Sequence, residues 1–338
     1  MKKEGETMNY RVVVIGGGAI ASRHLEAMGQ VRQLEPVALA DIDGEKAGQL
    51  AQSFGIRAYT DYRDMVKKER PHIAIVTLPH FLHKEAAVYC AGEGCHVLLE
   101  KPMAISVGEC DEIIEAVRGS GVKLLVGHTQ HYFPENVKAK ELIDSGELGR
   151  LVMINDIRHV HYYQPSRPAW FFDKAKAGGG ILTNLGSHSI DKIRWLGGSP
   201  IARVRSSVSY CGSRGDVEGG GLIFLENAEG IPAVISQSGY AGVPRNETEL
   251  VFTGGMAKLV TGQGLWISQD GEFVPVALGR EEPPFVLQFR DLITSIETGK
   301  EPGCSMTYSR EIVEVVEAVY RSHERRSEIF LSQTREPG

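Results

Sequence analysis

The sequence predicts an α/β chain: a domain with a doubly wound parallel sheet comes first, and an α+β domain with a mostly antiparallel sheet follows. Three observations predict it. From Arg11 to about Gly127, continuous apolar runs alternate with helical periodicity, the pattern of strands buried on both faces and joined by crossover helices. After about residue 130, strand-like runs alternate apolar and polar residues between glycine clusters, as strands with one wet face do. A length of 338 residues fits two domains at about 150 residues each. The expected division is residues 8–128 and 129–338.

The strands of the first half are RVVVIG, PVALAD, IAIVTL, HVLLE and VKLLVG. Between them, Ala47, Leu50, Ala51 and Phe54 recur at helical spacing after Gly44, and Cys110, Ile113, Ile114 and Val117 do so after Ser106. In the second half, RVRSSVSY, GLIFLE, PAVISQSGY and ELVFTG read as one-sided strands punctuated by GGG, SRGD, EGGG and TGG. Ile181 to Leu196 is helical towards its end, and Ile312, Val316, Val319 and Tyr320 make a late amphipathic helix. No internal repeat interrupts this order.

Composition excludes several classes of function. Lys and Arg number 37 against 43 Asp and Glu, a net charge of −6. No basic stripe interleaved with aromatics is present, so nucleic acid is not an expected partner. Apolar runs such as Val12 to Ile15 fall far short of the roughly 20 residues that cross a bilayer, so no membrane partner is expected either. The opening MKKEGETMNY has no apolar stretch behind it; it reads as a frayed tail rather than a secretory signal, and a cytoplasmic location is expected. Five cysteines, an odd number without a Cys-x-x-Cys pair, do not support a disulfide framework.

Chemistry-bearing residues fall in three places. RVVVIG runs into GGGAIA, where Gly16, Gly18 and Ala21 fit the G-x-G-x-x-G/A fingerprint. The first glycine allows the tight turn, the second removes a Cβ that would block a pyrophosphate, and the third position lets helix and strand approach. Asp41 closes the second strand, where a carboxylate accepts hydrogen bonds from ribose hydroxyls; its plain alternative is a helix cap. No Arg or Ser follows it to hold a 2′-phosphate, so NAD is expected ahead of NADP. Farther on, Glu100, Lys101 and Pro102 stand at the carboxyl end of HVLLE, where open α/β sheets place ligands, and the proline allows a cis bond.

The densest cluster is GGGILTNLGSHSIDKIRWLGG, in which Asn184, His188 and Asp191 recur at i, i+4 and i+7 and so share a helix face. A capped helix, a core histidine and a salt-bridge partner are the plain alternatives. His80 and His83, His128 and His131, and His159 and His161 form close pairs, but spacing places no third ligand and no metal is expected. A polar sugar pocket is the expectation for several of them. Tyr162, Tyr163, Trp170 and Phe171 are candidates for its apolar wall or, more plainly, for the core.

Taken together, GGGAIA with His24 after it, ADID, TLPHFLH, AGEGCHVLLEKP, GELGRL and GGGILTNLGSH with IDKIRWLGG resemble the glucose-fructose oxidoreductase, inositol dehydrogenase and rhizopine-catabolism group, Gfo/Idh/MocA, along nearly the whole chain. The resemblance implies an N-terminal Rossmann dinucleotide-binding domain and a C-terminal α+β domain with a large open sheet used for homodimer or homotetramer formation. It implies hydride transfer between nicotinamide and a secondary alcohol of a sugar, sugar acid or cyclitol. Lys101 matches the catalytic lysine of the EKP motif and His188 the catalytic histidine, with Asn184 beside it where many members carry aspartate. The implied cofactor contacts are Gly16, Gly18, Ala19, Ile20, Asp41, Leu78, Pro79, His83, Glu100 and Lys101. Those to substrate are Lys101, His128, His131, Asn184 and His188, with His131 at a place often held by arginine. Two other classes stay open: a glycoside hydrolase that oxidises its sugar transiently with NAD, and a non-catalytic NAD-binding regulator, which would not need Lys101 and His188 together.

Overall fold

The structure, a computed structural model, describes residues 8–279 and 282–332. Residues 1–7, read above as a frayed tail, lie outside the described residues. In chain order the first elements are β1 (Tyr10–Ile15), α1 (Ala19–Met28), β2 (Leu34–Ala40), α2 (Gly44–Phe54), β3 (Arg57–Tyr59), α3 (Tyr62–Glu69), β4 (Ile73–Val76), α4 (His83–Gly92), β5 (His96–Leu99), α5 (Val107–Ser120) and β6 (Leu124–Val126). Then come α6 (Pro134–Ser145), β7 (Leu151–His159), α7 (Lys174–Ala177), α8 (Ser187–Leu196), β8 (Ile201–Ser209), β9 (Gly220–Asn227), β10 (Pro232–Ser238) and β11 (Arg245–Phe252). The last are β12 (Gly255–Val260), β13 (Gly264–Gln269), β14 (Glu272–Pro275), α9 (Pro284–Thr298), α10 (Met306–Arg325) and β15 (Ile329–Phe330).

The chain forms two compact units. The first holds a six-stranded sheet in the order β3-β2-β1-β4-β5-β6, and every strand pair in it is parallel. That order is the doubly wound one, reversing direction between β1 and β4. Its central strands read as apolar runs because they are buried on both faces: Val12, Val13 and Val14 are 0% exposed, as are all four residues of β4.

The chain returns to this unit late, over Glu282–Ser309, a stretch that a simple division after residue 128 assigns to the second domain. The reason is packing. Helix α9 buries Val286, Phe289, Leu292 and Ile293, and the Phe285 and Phe289 rings meet the His24 ring of α1 edge-on at 5.0 and 5.7 Å. Such a long-range return leaves no local trace in the sequence pattern.

The second unit is built on a nine-stranded sheet in the order β14-β13-β12-β11-β7-β10-β9-β8-β15. All pairings are antiparallel except β7 with β10, so the sheet is mixed but mostly antiparallel, as expected. One face is covered: Ile154, Ile223, Leu225, Ile235 and Leu250 are each 2% exposed or less. The other leaves Leu222 at 64% and Val234 at 45%.

Candidate functional site

In the first unit, β1 ends at Ile15 and the chain turns at Gly16, whose φ of +102° favours glycine. A Cβ there would stand 2.7 Å from the Thr77 carbonyl oxygen. Gly18 is different, because a Cβ on it would meet no protein atom within 4 Å. It precedes helix α1, and no side chain caps that end. The first-turn N–H groups, including those of Ala19 and Ile20, therefore head the helix dipole towards open space, an arrangement that suits a phosphate. Gly17, Gly18, Ala19 and Ser22 of this turn face Lys46 and Gln49 of α2 across an open hollow of about 290 Å³. These features fit a dinucleotide pyrophosphate.

Asp41 follows β2 directly. Its Oδ2 accepts the Gly17 N–H at 2.6 Å and its Oδ1 accepts the Asp43 N–H at 2.9 Å, so the carboxylate is fixed beside the glycine turn. The helix-cap alternative goes to Asp43, which accepts from Lys46 N at the start of α2. No basic residue follows Asp41 immediately, but one turn into α2 the Lys46 ammonium reaches within 3.5 Å of Oδ2.

Glu100, Lys101 and Pro102 lie just past β5, and the Lys101–Pro102 peptide is cis. Glu100 Oε2 accepts the Lys101 N–H at 3.2 Å, and Oε1 meets His24 Nε2 at 2.9 Å. Burial alone would raise the Glu100 pKa, but the hydrogen bond and charge of His24, with the Lys101 ammonium, hold it below the usual carboxylate range. His24 is the residue that motif reading underused. Ala21, His24, Leu25 and Met28 share the inner face of α1 and are all buried, and a histidine on such a face calls for a polar partner.

His83, expected to touch the cofactor, has both ring nitrogens engaged by the backbone. It is fully buried, and its two ring nitrogens lie 2.8 Å from the carbonyl oxygens of Leu78 and Pro102. It ties the Leu78–Pro79 loop to the segment after Lys101. Burial pulls its pKa below the ordinary imidazole value against the pull of those two bonds. His128, expected at the substrate, is also buried, with its ring edge-on to Tyr308 at 6.1 Å.

In the second unit, the chain enters the Asn184–Asp191 segment through Gly178, Gly179 and Gly180. A Cβ on Gly179 would fall 2.1 Å from the Tyr320 hydroxyl, and one on Gly180 would fall 2.2 Å from the Glu218 carbonyl oxygen. The buried Glu218 carboxylate accepts the N–H groups of Gly180 and Leu182, each at 2.8 Å. Residues Leu182–Gly186 form a π-helical turn and run straight into α8. Asn184 therefore sits on wider-wound backbone than the i, i+4 spacing assumes, while His188 and Asp191 share the first turns of α8. Asp191 is the surprise of the cluster. It is 0% exposed and accepts from His131 Nε2 at 2.8 Å, and the His131 ring stacks on Trp195 at 4.7 Å. Asp191 is thus hydrogen-bonded to His131, close to the plain alternative of a polar partner for it.

Of the proposed aromatic wall, Tyr162 and Tyr163 are buried, while Trp170 and Phe171 stack at 3.7 Å and are half-exposed. His159 lies 3.4 Å from the Ser236 hydroxyl, and His161 is exposed. Among the described residues, no three His, Cys, Asp or Glu side chains are grouped to hold a metal ion.

Residues 10–128 match the model of the oxidoreductase family with an NAD-binding Rossmann fold, and residues 136–258 match that of the GFO/IDH/MocA C-terminal domain. The chain belongs to the Gfo/Idh/MocA oxidoreductase family. Within that family it is 29% identical over 233 residues to a 1-carboxy-3-chloro-3,4-dihydroxycyclo hexa-1,5-diene dehydrogenase of Comamonas testosteroni, covering 68% of this chain and 58% of that enzyme. It is 30% identical over 193 residues to an inositol 2-dehydrogenase of Salmonella typhimurium, covering 56% of this chain and 55% of that enzyme. The matched stretch is thus little more than half the length of these relatives. Among solved structures, GenD2 from gentamicin A biosynthesis in complex with NAD superposes with a TM-score of 0.86 at 25% identity, over 98% of this chain and 99% of that one. An aldose-aldose oxidoreductase from Caulobacter crescentus shares the fold at a TM-score of 0.89 and 24% identity, over 96% of this chain and all of that one.

Proposed function

We propose that this chain is an NAD-dependent oxidoreductase that moves a hydride between nicotinamide and a secondary alcohol carbon of a sugar, sugar acid or cyclitol. The observation that carries the reading is the open Gly18 cradle at an uncapped helix, beside a fixed Asp41, in a chain of this family. When bound, the nicotinamide supplies the hydride acceptor or donor. The chain's own residues do the rest. Gly16 to Ile20 hold the pyrophosphate, and Asp41 accepts from the ribose hydroxyls. Leu78 and Pro79, held by His83, bound the nucleotide, with Glu100 and Lys101 at the next strand end.

His188 takes the hydroxyl proton as general base. Lys101 stabilises developing alkoxide character by charge and by donating a hydrogen bond. Glu100, kept ionised by His24, holds the lysine's backbone. Asn184 orients substrate or imidazole, and His131 and His128 belong to the substrate side. Asp41 favours NAD over NADP by repelling a 2′-phosphate, and the nearby Lys46 narrows that margin.

The test is a panel of cyclitols, aldoses and sugar acids assayed with NAD and with NADP by absorbance of the reduced cofactor. Net reduction with one of them supports the reading. Release of the aglycone from aryl glycosides added to the panel, without accumulated NADH, would replace it with the hydrolase, and NAD binding without any turnover would replace it with the regulator.

A further inference from the structure

A polar row under helix α8 belongs to no step above. Asp156 and Arg158 are two residues apart on β7 and therefore point to the same face of the sheet. That face is the one α8 covers, since Lys192 of α8 brings its ammonium to 2.8 Å from Asp156 Oδ1. Thr248 of β11 donates to the same oxygen at 2.5 Å. The charge of Asp156 is thus already engaged.

Arg158 stands one row farther along. Among the described residues its guanidinium has no hydrogen-bond or ion-pair partner, and the charge that acts on it is the engaged Asp156. In register with it are Asn246 on β11 and Gln237 on β10, so three polar side chains cross three neighbouring strands on one face. Gln237 is 3% exposed, and neither its amide nitrogen nor its oxygen has a partner. Asn246 Oδ1 is buried without one as well. A Cβ on Gly186 would lie 3.7 Å from Gln237 Oε1, which puts the row directly beneath the turn that leads into His188.

Buried polar groups are normally satisfied, and each one left open costs about 1–3 kcal/mol. Asp156 Oδ1 is taken by Lys192 and Thr248, and among the described residues no carboxylate lies within hydrogen-bond reach of the Arg158 guanidinium. We infer that Arg158, Gln237 and Asn246 form a subsite for a carboxylate carried by the substrate, so that the alcohol oxidised belongs to a sugar acid rather than to a neutral sugar or cyclitol. The inference rests on the oxidoreductase reading and narrows its substrate class. A guanidinium fork matches a planar carboxylate with two parallel hydrogen bonds. The two amides supply further donors. A single guanidinium charge matches a carboxylate better than a phosphate ester, which carries about −1.5 to −2.

The experiment measures dissociation constants calorimetrically on NADH-loaded protein for D-glucuronate and D-gluconate, with D-glucose and D-glucose 6-phosphate as matched probes. One acid should bind about 10- to 100-fold more tightly than glucose, the range expected for a charged bidentate hydrogen bond. Arg158→Gln should erase that advantage and leave the unfolding temperature nearly unchanged, since the guanidinium makes no hydrogen bond or ion pair that the substitution would break. Gln237→Leu, which alters no charge, should weaken acid binding in the same direction and stands in if Arg158→Gln does not fold. Equal binding of acids and glucose, an acid advantage that survives both substitutions, or tighter binding of the phosphate ester would each overturn the inference. NADH binding and turnover are read separately. Acid binding that depends on Arg158 without any NADH formation would therefore count against the oxidoreductase reading and leave the subsite standing.

Discussion

At the residue scale, the proposed chemistry divides between groups that touch the reacting atoms and groups that hold them. Lys101→Ala and His188→Ala should each lower kcat by about 100- to 10,000-fold, while NADH fluorescence titration gives an affinity close to that of the unaltered protein. Loss of NADH affinity in folded His188→Ala would move His188 into the cofactor site, and the same loss in Lys101→Ala would make cofactor contact the main role of Lys101. Asn184 offers a signed test. A carboxylate near the His188 imidazole favours its protonated form, and oxidation needs the neutral form. Asn184→Asp should therefore shift the acidic limb of the oxidation pH profile to higher pH. A limb that stays put or moves down would assign Asn184 to substrate contact, which is open to it because the π-helical turn takes it out of strict i, i+4 register with His188.

At the element scale, the glycine turn separates fold from function, since two neighbouring glycines have opposite reasons to lack a side chain. Gly18→Ala should leave the urea midpoint nearly unchanged, because the new Cβ meets no protein atom within 4 Å, yet it should sharply weaken NADH binding. Gly16→Ala should destabilise the whole unit, since its φ is +102° and the Thr77 carbonyl stands 2.7 Å from the new atom. The buried Lys192–Asp156 pair fixes α8 to β7. Lys192→Met strands a carboxylate and should cost about 3–5 kcal/mol in urea unfolding at pH 7. Burial pushes the Asp156 pKa up, but Lys192 and its hydrogen-bonding neighbours pull it below the ordinary value. The pair's contribution is therefore present above about pH 4 and fades as the pH falls below it, so the deficit of the variant should shrink in acid. The sequence made the parallel strands and the glycine turn legible because each is written in a continuous run of residues. It hid β3, only three residues long, and β12 to β14, whose short hairpin strands carry little periodicity. It also hid the partners of Asp191 and Glu100, because ion pairs between distant segments leave no spacing to read.

At the scale of the whole molecule, the nine-stranded sheet presents a face that the second unit itself leaves open. Leu222 and Val234 are 64% and 45% exposed on neighbouring strands β9 and β10, and a hollow of about 640 Å³ lies among Asn155, Ile157, Leu222, Phe224, Val234 and Glu249. Phe330 on the edge strand β15 is 73% exposed. A contiguous apolar patch of this kind on a sheet is costly in water and is relieved when a second copy covers it. The face offers polar groups as well. Asn155, Ser236 and Glu249 stand among the apolar residues, so a symmetric partner would gain both buried area and hydrogen bonds. Light scattering on the purified chain at micromolar concentration should report a dimer or tetramer. Leu222→Lys combined with Val234→Lys places two cations in the middle of the patch without touching the covered face, and so should shift the population towards monomer. Because the substituted strands keep Ile223 and Ile235 in the core, the unfolding transition of the monomer should remain cooperative. A chain that is monomeric before substitution, or an oligomer that ignores both lysines, would show that this face does not join the subunits.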